Sequence, residues 1–219
     1  MTEDMNMSMD QNEFMRRMKA IASDLWGGIA PLEEAVPVPE ERRETVPQEP
    51  EKPKTDIRSL WKTADETIDW TDALAHSTPK DGLTAQRLWN FYHKQAEKVL
   101  SGDLDAYTEV LKAANPLGEL TEYADSITMR APTADRLESR FACREEQMGK
   151  NRKRYLAAMG LRIARDLLAC LPVSEVEIKG IYEGKPAFEV TFNRHQLMHR
   201  NFSFLDPVAL CEECGAVFH

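Results

Sequence analysis

Residues 155–171 contain a single Gly, Gly160, and no Pro, and they carry apolar side chains around most of a helical circumference. Leu156, Met159, Ile163, Leu167 and Cys170 step by three or four residues and so share one face. Leu161, Ala164, Leu168 and Leu171 widen that face far beyond a surface stripe, and only Arg162, Arg165, Asp166 and Ala169 stand opposite. A helix apolar nearly all round must be buried on several sides, so the rest of the chain has to wrap it. Pro172 ends it, lacking an N–H and clashing with the preceding turn. The period then changes from 3.6 to 2. Val176 and Ile178 alternate with Glu175, Glu177 and Lys179; Phe188, Val190 and Phe192 alternate with Glu189 and Thr191. Glu183-Gly184-Lys185 between the two runs supplies a residue tolerant of positive φ. This pattern predicts an antiparallel hairpin with one face on the helix and one in water.

Upstream, Thr84 is placed to cap a helix running to Leu100, with Leu88, Phe91, Tyr92 and Val99 inward and Ser101-Gly102 as its stop. Asp103 is placed to cap a second helix, with Leu104, Tyr107, Val110, Leu111 and Ala114 inward and Asn115-Pro116 as its end. Ile127 and Met129, then Leu137 and Phe141 beyond Ala131-Pro-Thr-Ala-Asp135, alternate as a second, weaker hairpin. Downstream, residues 193–200 form one or two helical turns. Asp206-Pro207 starts a last helix with Val208, Leu210 and Cys211 inward. The abrupt apolar end at Phe218-His219 suggests a truncated gene or a tail that docks. The expected fold is α+β: a helical hairpin and a central buried helix packed on a small antiparallel sheet made of β-hairpins, spanning 81–219 and preceded by a disordered linker.

The first 80 residues divide by composition. Residues 55–80 hold Ile57, Leu60, Trp61, Ile68, Trp70 and Leu74 in a polar background, read as a short helical strap on the domain surface with Asp69 as a cap. Residues 31–54 contain Pro31, Pro37, Pro39, Pro47, Pro50 and Pro53 among seven glutamates, which forbids helix and ladder alike and marks a linker. Within 1–30, Phe14, Met18, Ile21 and Leu25 line one side of an amphipathic helix that Gly27-Gly28 ends. A lone helix of that length is marginal in water and calls for a partner, its own domain or another protein.

Three runs, Asp103-Leu-Asp-Ala-Tyr-Thr-Glu-Val-Leu-Lys-Ala-Ala-Asn-Pro-Leu117, Leu161-Arg-Ile-Ala-Arg-Asp-Leu-Leu-Ala-Cys-Leu-Pro-Val173 and Phe204-Leu-Asp-Pro207, resemble in the same order a C-terminal region of uncharacterised bacterial proteins. The likeness spans roughly residue 81 to the end. It implies a bacterial origin and a shared fold, and it carries no catalytic signature or functional residue across.

The formal net charge of −9 argues against a chain devoted to nucleic acid or acidic membranes. No apolar run approaches the roughly 18 residues that span a bilayer, so no membrane partnership is expected. The acidic, Met-rich start lacks the pattern of a secretion signal, and four cysteines are too few for a disulfide scaffold. Reduced thiols and a cytoplasmic address are the expectation.

Two constellations carry candidate chemistry. His195-x3-His199 followed by Cys211-x2-Cys214 supplies the donor set of a tetrahedral zinc site at metal-compatible spacings. The order is reversed relative to the common finger, and both cysteines fall in a predicted helix, so ordinary helix positions are the competing reading. As a redox pair Cys211 and Cys214 are weaker still, because Glu212 and Glu213 between them raise thiol pKa values. The second constellation is charge: Arg144, Lys150, Arg152, Lys153, Arg154, Arg162 and Arg165 stand against Glu145 and Glu146 before Asp166. Lys150, Arg152, Lys153 and Arg154 would be the phosphate-contacting core of a nucleic-acid patch, with Arg194 and Arg200 as its extension. The alternative is a solvated helix start balanced by nearby carboxylates. Glu177-Ile-Lys179 lies on a strand as a nuclease's acid and lysine would, without the preceding strand-end Asp such a metal site needs. No phosphate loop, nucleophile elbow or carboxylate pair stands at convincing spacing. The sequence therefore predicts a non-enzymatic protein-interaction or accessory module without a required cofactor, with nucleic-acid binding as the alternative.

Overall fold

The computed structural model describes residues 57, 59–80, 84–149 and 151–219. The amphipathic helix expected within 1–30, the linker 31–54 and Lys150 lie outside the described residues. In chain order the elements are α1 (Trp70–Ala75), α2 (Gln86–Leu100), α3 (Leu104–Ala114), β1 (Ala124–Thr133), β2 (Arg136–Cys143), α4 (Arg152–Cys170), β3 (Glu175–Tyr182), β4 (Lys185–Asn193), α5 (Arg194–Leu197), α6 (Pro207–Glu213) and β5 (Val217–Phe218). Single 3₁₀ turns at Leu60–Lys62, Gly118–Glu122 and Glu145–Gln147 join them.

Helix α4 is the expected core helix: 15 of its 19 residues are buried. One side lies on the inner face of the sheet, where Leu137, Phe141, Val176, Ile178, Phe188, Val190 and Phe192 are buried between the layers. The layers meet closely at two glycines. A Cβ on Gly160 would sit 2.5 Å from the Phe188 ring, and one on Gly180 would sit 3.3 Å from Leu156 of α4 and 2.8 Å from Phe141, its neighbour across the sheet. Gly160 thus costs helix propensity but admits the aromatic ring against the backbone.

The sheet order is β1-β2-β3-β4-β5. Both expected hairpins form. The second turns through Glu183 (φ 49°) and Gly184 (φ 74°), the two consecutive positive φ angles of a two-residue hairpin turn. The sheet is not antiparallel throughout: β2 and β3 run parallel, with Leu137 opposite Val176 and Ser139 opposite Ile178. Helix α4 is the crossover that joins them, returning the chain to the end of the sheet where β2 began. The C-terminal tail docks, with Phe218 opposite Phe188 and their ring centroids 5.0 Å apart.

Three helices begin on aspartates as the sequence predicts. Asp69 accepts N–H bonds from Thr71 and Asp72, Asp103 from Asp105 and Ala106, and Asp206 from Val208 and Ala209. Helix α2 departs from expectation in two ways. Its N-cap is Ala85, which offers no side-chain acceptor, rather than Thr84. Its buried face is Trp89, Tyr92, Gln95, Ala96 and Val99, while Leu88 and Phe91 are only partly covered. The rotation follows from its contact with α1: Trp70 meets Tyr92 edge-on at 5.5 Å, and Trp89 Nε1 donates to the His76 carbonyl at 3.0 Å. Leu104, expected inward, is 38% exposed at the start of α3.

The strap lies deeper than the sequence implies. Leu60 and Trp61 are each only 1% exposed, Trp70 is 4% exposed, and all three belong to the same core as α4. What anchors the strap is the polar side of α4. Arg162 and Asp166, one turn apart, are both buried and paired at 2.6 Å. Arg162 also donates to Thr63 Oγ1 at 2.5 Å, and the carboxylates of Asp65 and Glu119 lie 3.7 and 3.6 Å from its guanidinium. Asp166 accepts the Asp65 N–H at 2.9 Å. Arg165 donates to the carbonyls of Trp61 and Thr63. Further along, Ile68 N–H donates to the Ala169 carbonyl at 2.9 Å, and Trp70 Nε1 to that of Cys170 at 3.0 Å. Beyond the first turn of α4, its charges Arg162, Arg165 and Asp166 are therefore not a solvent face; they are the seam to residues 61–70.

Burial raises the Asp166 carboxyl from its ordinary 3.8 to about 7, against the opposing pull of Arg162. The folded state then holds a proton that the unfolded chain has released between those two values, so stability is expected to fall as pH rises across that window. Asp166→Asn keeps one acceptor oxygen for either Asp65 or Arg162, turns an amide NH2 to the other, and cannot ionise. Comparing urea midpoints at about pH 5 and about pH 8, the native chain should lose more stability than Asp166→Asn.

Candidate nucleic-acid and metal-binding sites

The basic cluster sits on the first turn of α4, where Asn151 is the N-cap without a side-chain capping bond. Cations at a helix N-terminus oppose the macrodipole, so each needs local compensation. Each described member finds a neighbour. Arg154 lies 3.2 Å from Asp206, and its guanidinium sits 4.9 Å over the Trp61 ring. Lys153 is 3.7 Å from Glu212 and 5.3 Å from the Phe218 ring centroid. The Arg152 guanidinium lies 6.0 Å over the Tyr182 ring. The cluster thus faces both ends of α6, the end of β3, the C-terminal strand and the strap. Beside it, a shallow concavity of about 200 Å³ is lined by Ile57, Glu146, Gln147, Asn151, Arg154 and Tyr155.

The other basic residues are committed elsewhere in the fold. Arg144 donates to the carbonyls of Thr121, Glu122 and Ala124. Arg194 donates to those of Leu168, Leu171 and Val173, satisfying acceptors at the C-terminal end of α4 where a cation also complements the dipole. Arg200 pairs with Glu213 through both guanidinium nitrogens. Arg162 and Arg165 serve the strap, as described above. Arg194 is therefore spent on backbone within the fold, and Arg200 on Glu213.

The four candidate metal ligands fall into separate environments. His195 lies in α5 and His199 just beyond it, their rings edge to face with centroids 5.4 Å apart. Cys211 is buried, its Sγ 3.8 Å from the Ala157 carbonyl of α4, and Cys214 is the partly buried C-cap of α6. Among the described residues no group of three or more His, Cys, Asp or Glu side chains converges as metal ligands would. Both thiols are held above their usual range, chiefly by burial; at Cys211 the neighbouring Cys214, Asp206 and Glu212 add to it, and at Cys214 so does Glu213. Neither is a ready thiolate. Glu177 is held ionised by Lys179 and Arg136 on the open face of the sheet, its carboxyl below the usual range. That is the polar face of an alternating strand.

Sequence reasoning missed the Arg162–Asp166 seam and the role of Arg194. The available signal was two opposite charges one turn apart on an otherwise apolar helix, which marks a buried pair rather than a wet face.

No family model, no curated protein and no solved structure matches this chain. Among the described residues no helix is long and apolar enough to cross a membrane.

Asp206 joins the basic cluster to α6 as cap and ion-pair partner. Asp206→Ala should destabilise the fold by about 1 kcal/mol through the lost cap. Asp206→Asn, which keeps the capping oxygen and removes only the charge facing Arg154, should lie within about 0.5 kcal/mol of the native chain in urea titrations.

Proposed function

We propose that the chain is a non-enzymatic protein-interaction or accessory module of the bacterial cytoplasm, in which the N-terminal segment recruits another protein and the described residues form the folded body. The observation that carries this reading is how the chemically capable side chains are already engaged within the fold. The described cations of the basic cluster face carboxylates or aromatic rings, the thiols of Cys211 and Cys214 are held up by burial, and Glu177 is occupied by Arg136 and Lys179. The recruiting element is the amphipathic pattern of Phe14, Met18, Ile21 and Leu25, set off by the Pro- and Glu-rich residues 31–54. Partners captured with the full chain are expected to be lost when residues 1–51 are deleted and when Ile21→Asp is made in the full chain. An unchanged set of partners in both would overturn the reading.

A second reading rests on one observation: the Lys153 and Arg154 side chains remain 64% and 44% exposed despite their pairing. Nucleic acid bound there would show affinity that falls steeply with salt and drops when Arg152, Lys153 and Arg154 become Ala. Salt-insensitive or absent binding in fluorescence anisotropy would remove it.

A further inference from the structure

Strand β1 pairs with β2 on one side and, among the described residues, with nothing on the other. Such an edge presents a row of unpaired backbone N–H and C=O groups, a template for another strand. Register shifts between Ala124 and Ser126 and between Arg130 and Thr133 interrupt the ladder at both ends. Between them, residues 126–130 (Ser-Ile-Thr-Met-Arg) form a regular run without Gly, Pro or Lys, and with Pro132 beyond its end. Natural edges are usually blunted by Pro, Lys or a bulge in mid-strand; this one is blunted only at its limits. Ile127 and Met129 lie on the helix side of the sheet yet are only partly buried, whereas their neighbours across β2, Phe141 and Ser139, are fully buried. Their cover is incomplete on the open edge.

We propose that β1 is a self-association edge, where two copies of the chain pair antiparallel about a two-fold axis through Thr128 and continue one sheet across both. The sequence of the run is self-complementary in that register. Antiparallel strands set same-side residues opposite each other, so a two-fold axis normal to the sheet must fall on a residue. Only Thr128 lets the whole run overlap. Ile127 then opposes Met129 of the second copy on the helix side, completing the cover of both. On the open side Ser126 opposes Arg130 of the second copy, and no like charges face each other. Arg130 is already oriented along the open face by its pairing with Glu138.

Sedimentation equilibrium on the full chain tests this, with variants at Ser126, which is exposed and tolerates substitution without touching the core. A dimer is expected. Ser126→Arg would place like charges opposite each other twice per dimer and should weaken it about tenfold, whereas Ser126→Glu, facing Arg130 of the second copy, should tighten it. A chain that stays monomeric up to about 100 μM would overturn the proposal, because a specific dimer has Kd below that range. So would a dimer whose dissociation constant is indifferent to the charge at residue 126.

Discussion

The structure depends on burying α4 on every side. A helix with 15 of 19 residues out of water cannot rest on a sheet alone, because a sheet covers one face. The inner face of the sheet takes one side, α3 and α6 pack on others, and residues 59–75 close what remains. Each buried Leu or Ile contributes about 1.5–3 kcal/mol relative to exposure, so leaving any one flank open would be costly. The two glycines at the helix–sheet contact and the buried Arg162–Asp166 pair are consequences of the same demand. The first lets the layers approach; the second satisfies a polar flank without water.

The Arg162–Asp166 pair is strong as a specification and weak as a source of stability. Removing two charges from water offsets much of their attraction, and the raised Asp166 carboxyl reflects that desolvation. What the pair supplies is direction: Thr63 Oγ1 and the Asp65 N–H can be satisfied in one strap position, and Arg165 fixes the carbonyls beside them. The strap is thereby ordered by hydrogen bonds as well as by Trp61 and Trp70.

Features set by local chemistry were legible in the sequence. The α4 periodicity, the Glu183-Gly184 turn and the caps at Asp69, Asp103 and Asp206 each follow from residues within a few positions of one another. Features set by distant partners were not. The parallel pairing of β2 and β3 depends on where the crossover through the 19-residue α4 returns the chain, and no pattern within either hairpin encodes it. Helix α2 shows Leu88-Phe91 and Trp89-Tyr92 as equally spaced candidates for its inner face; the choice is made by Trp70 in another element. The basic cluster was legible as charge but not as a set of contacts, because Arg154 meets Asp206 52 residues away and Lys153 meets Glu212 still further along. The histidines and cysteines have metal-compatible spacing, yet their elements turn Cys211 inward to α4 and leave His195 and His199 against each other.

Amide hydrogen exchange at Asp65 and Ile68 tests most directly whether the strap is part of the α4 core. Their N–H groups donate to the Asp166 carboxyl and the Ala169 carbonyl across the seam. If the strap is integral, these amides should exchange only on global unfolding, with protection equal to that of Leu161 and Leu167 in α4. Protection lower by several orders of magnitude at both, with α4 unchanged, would mean that the strap opens locally and that α4 holds its fold without it.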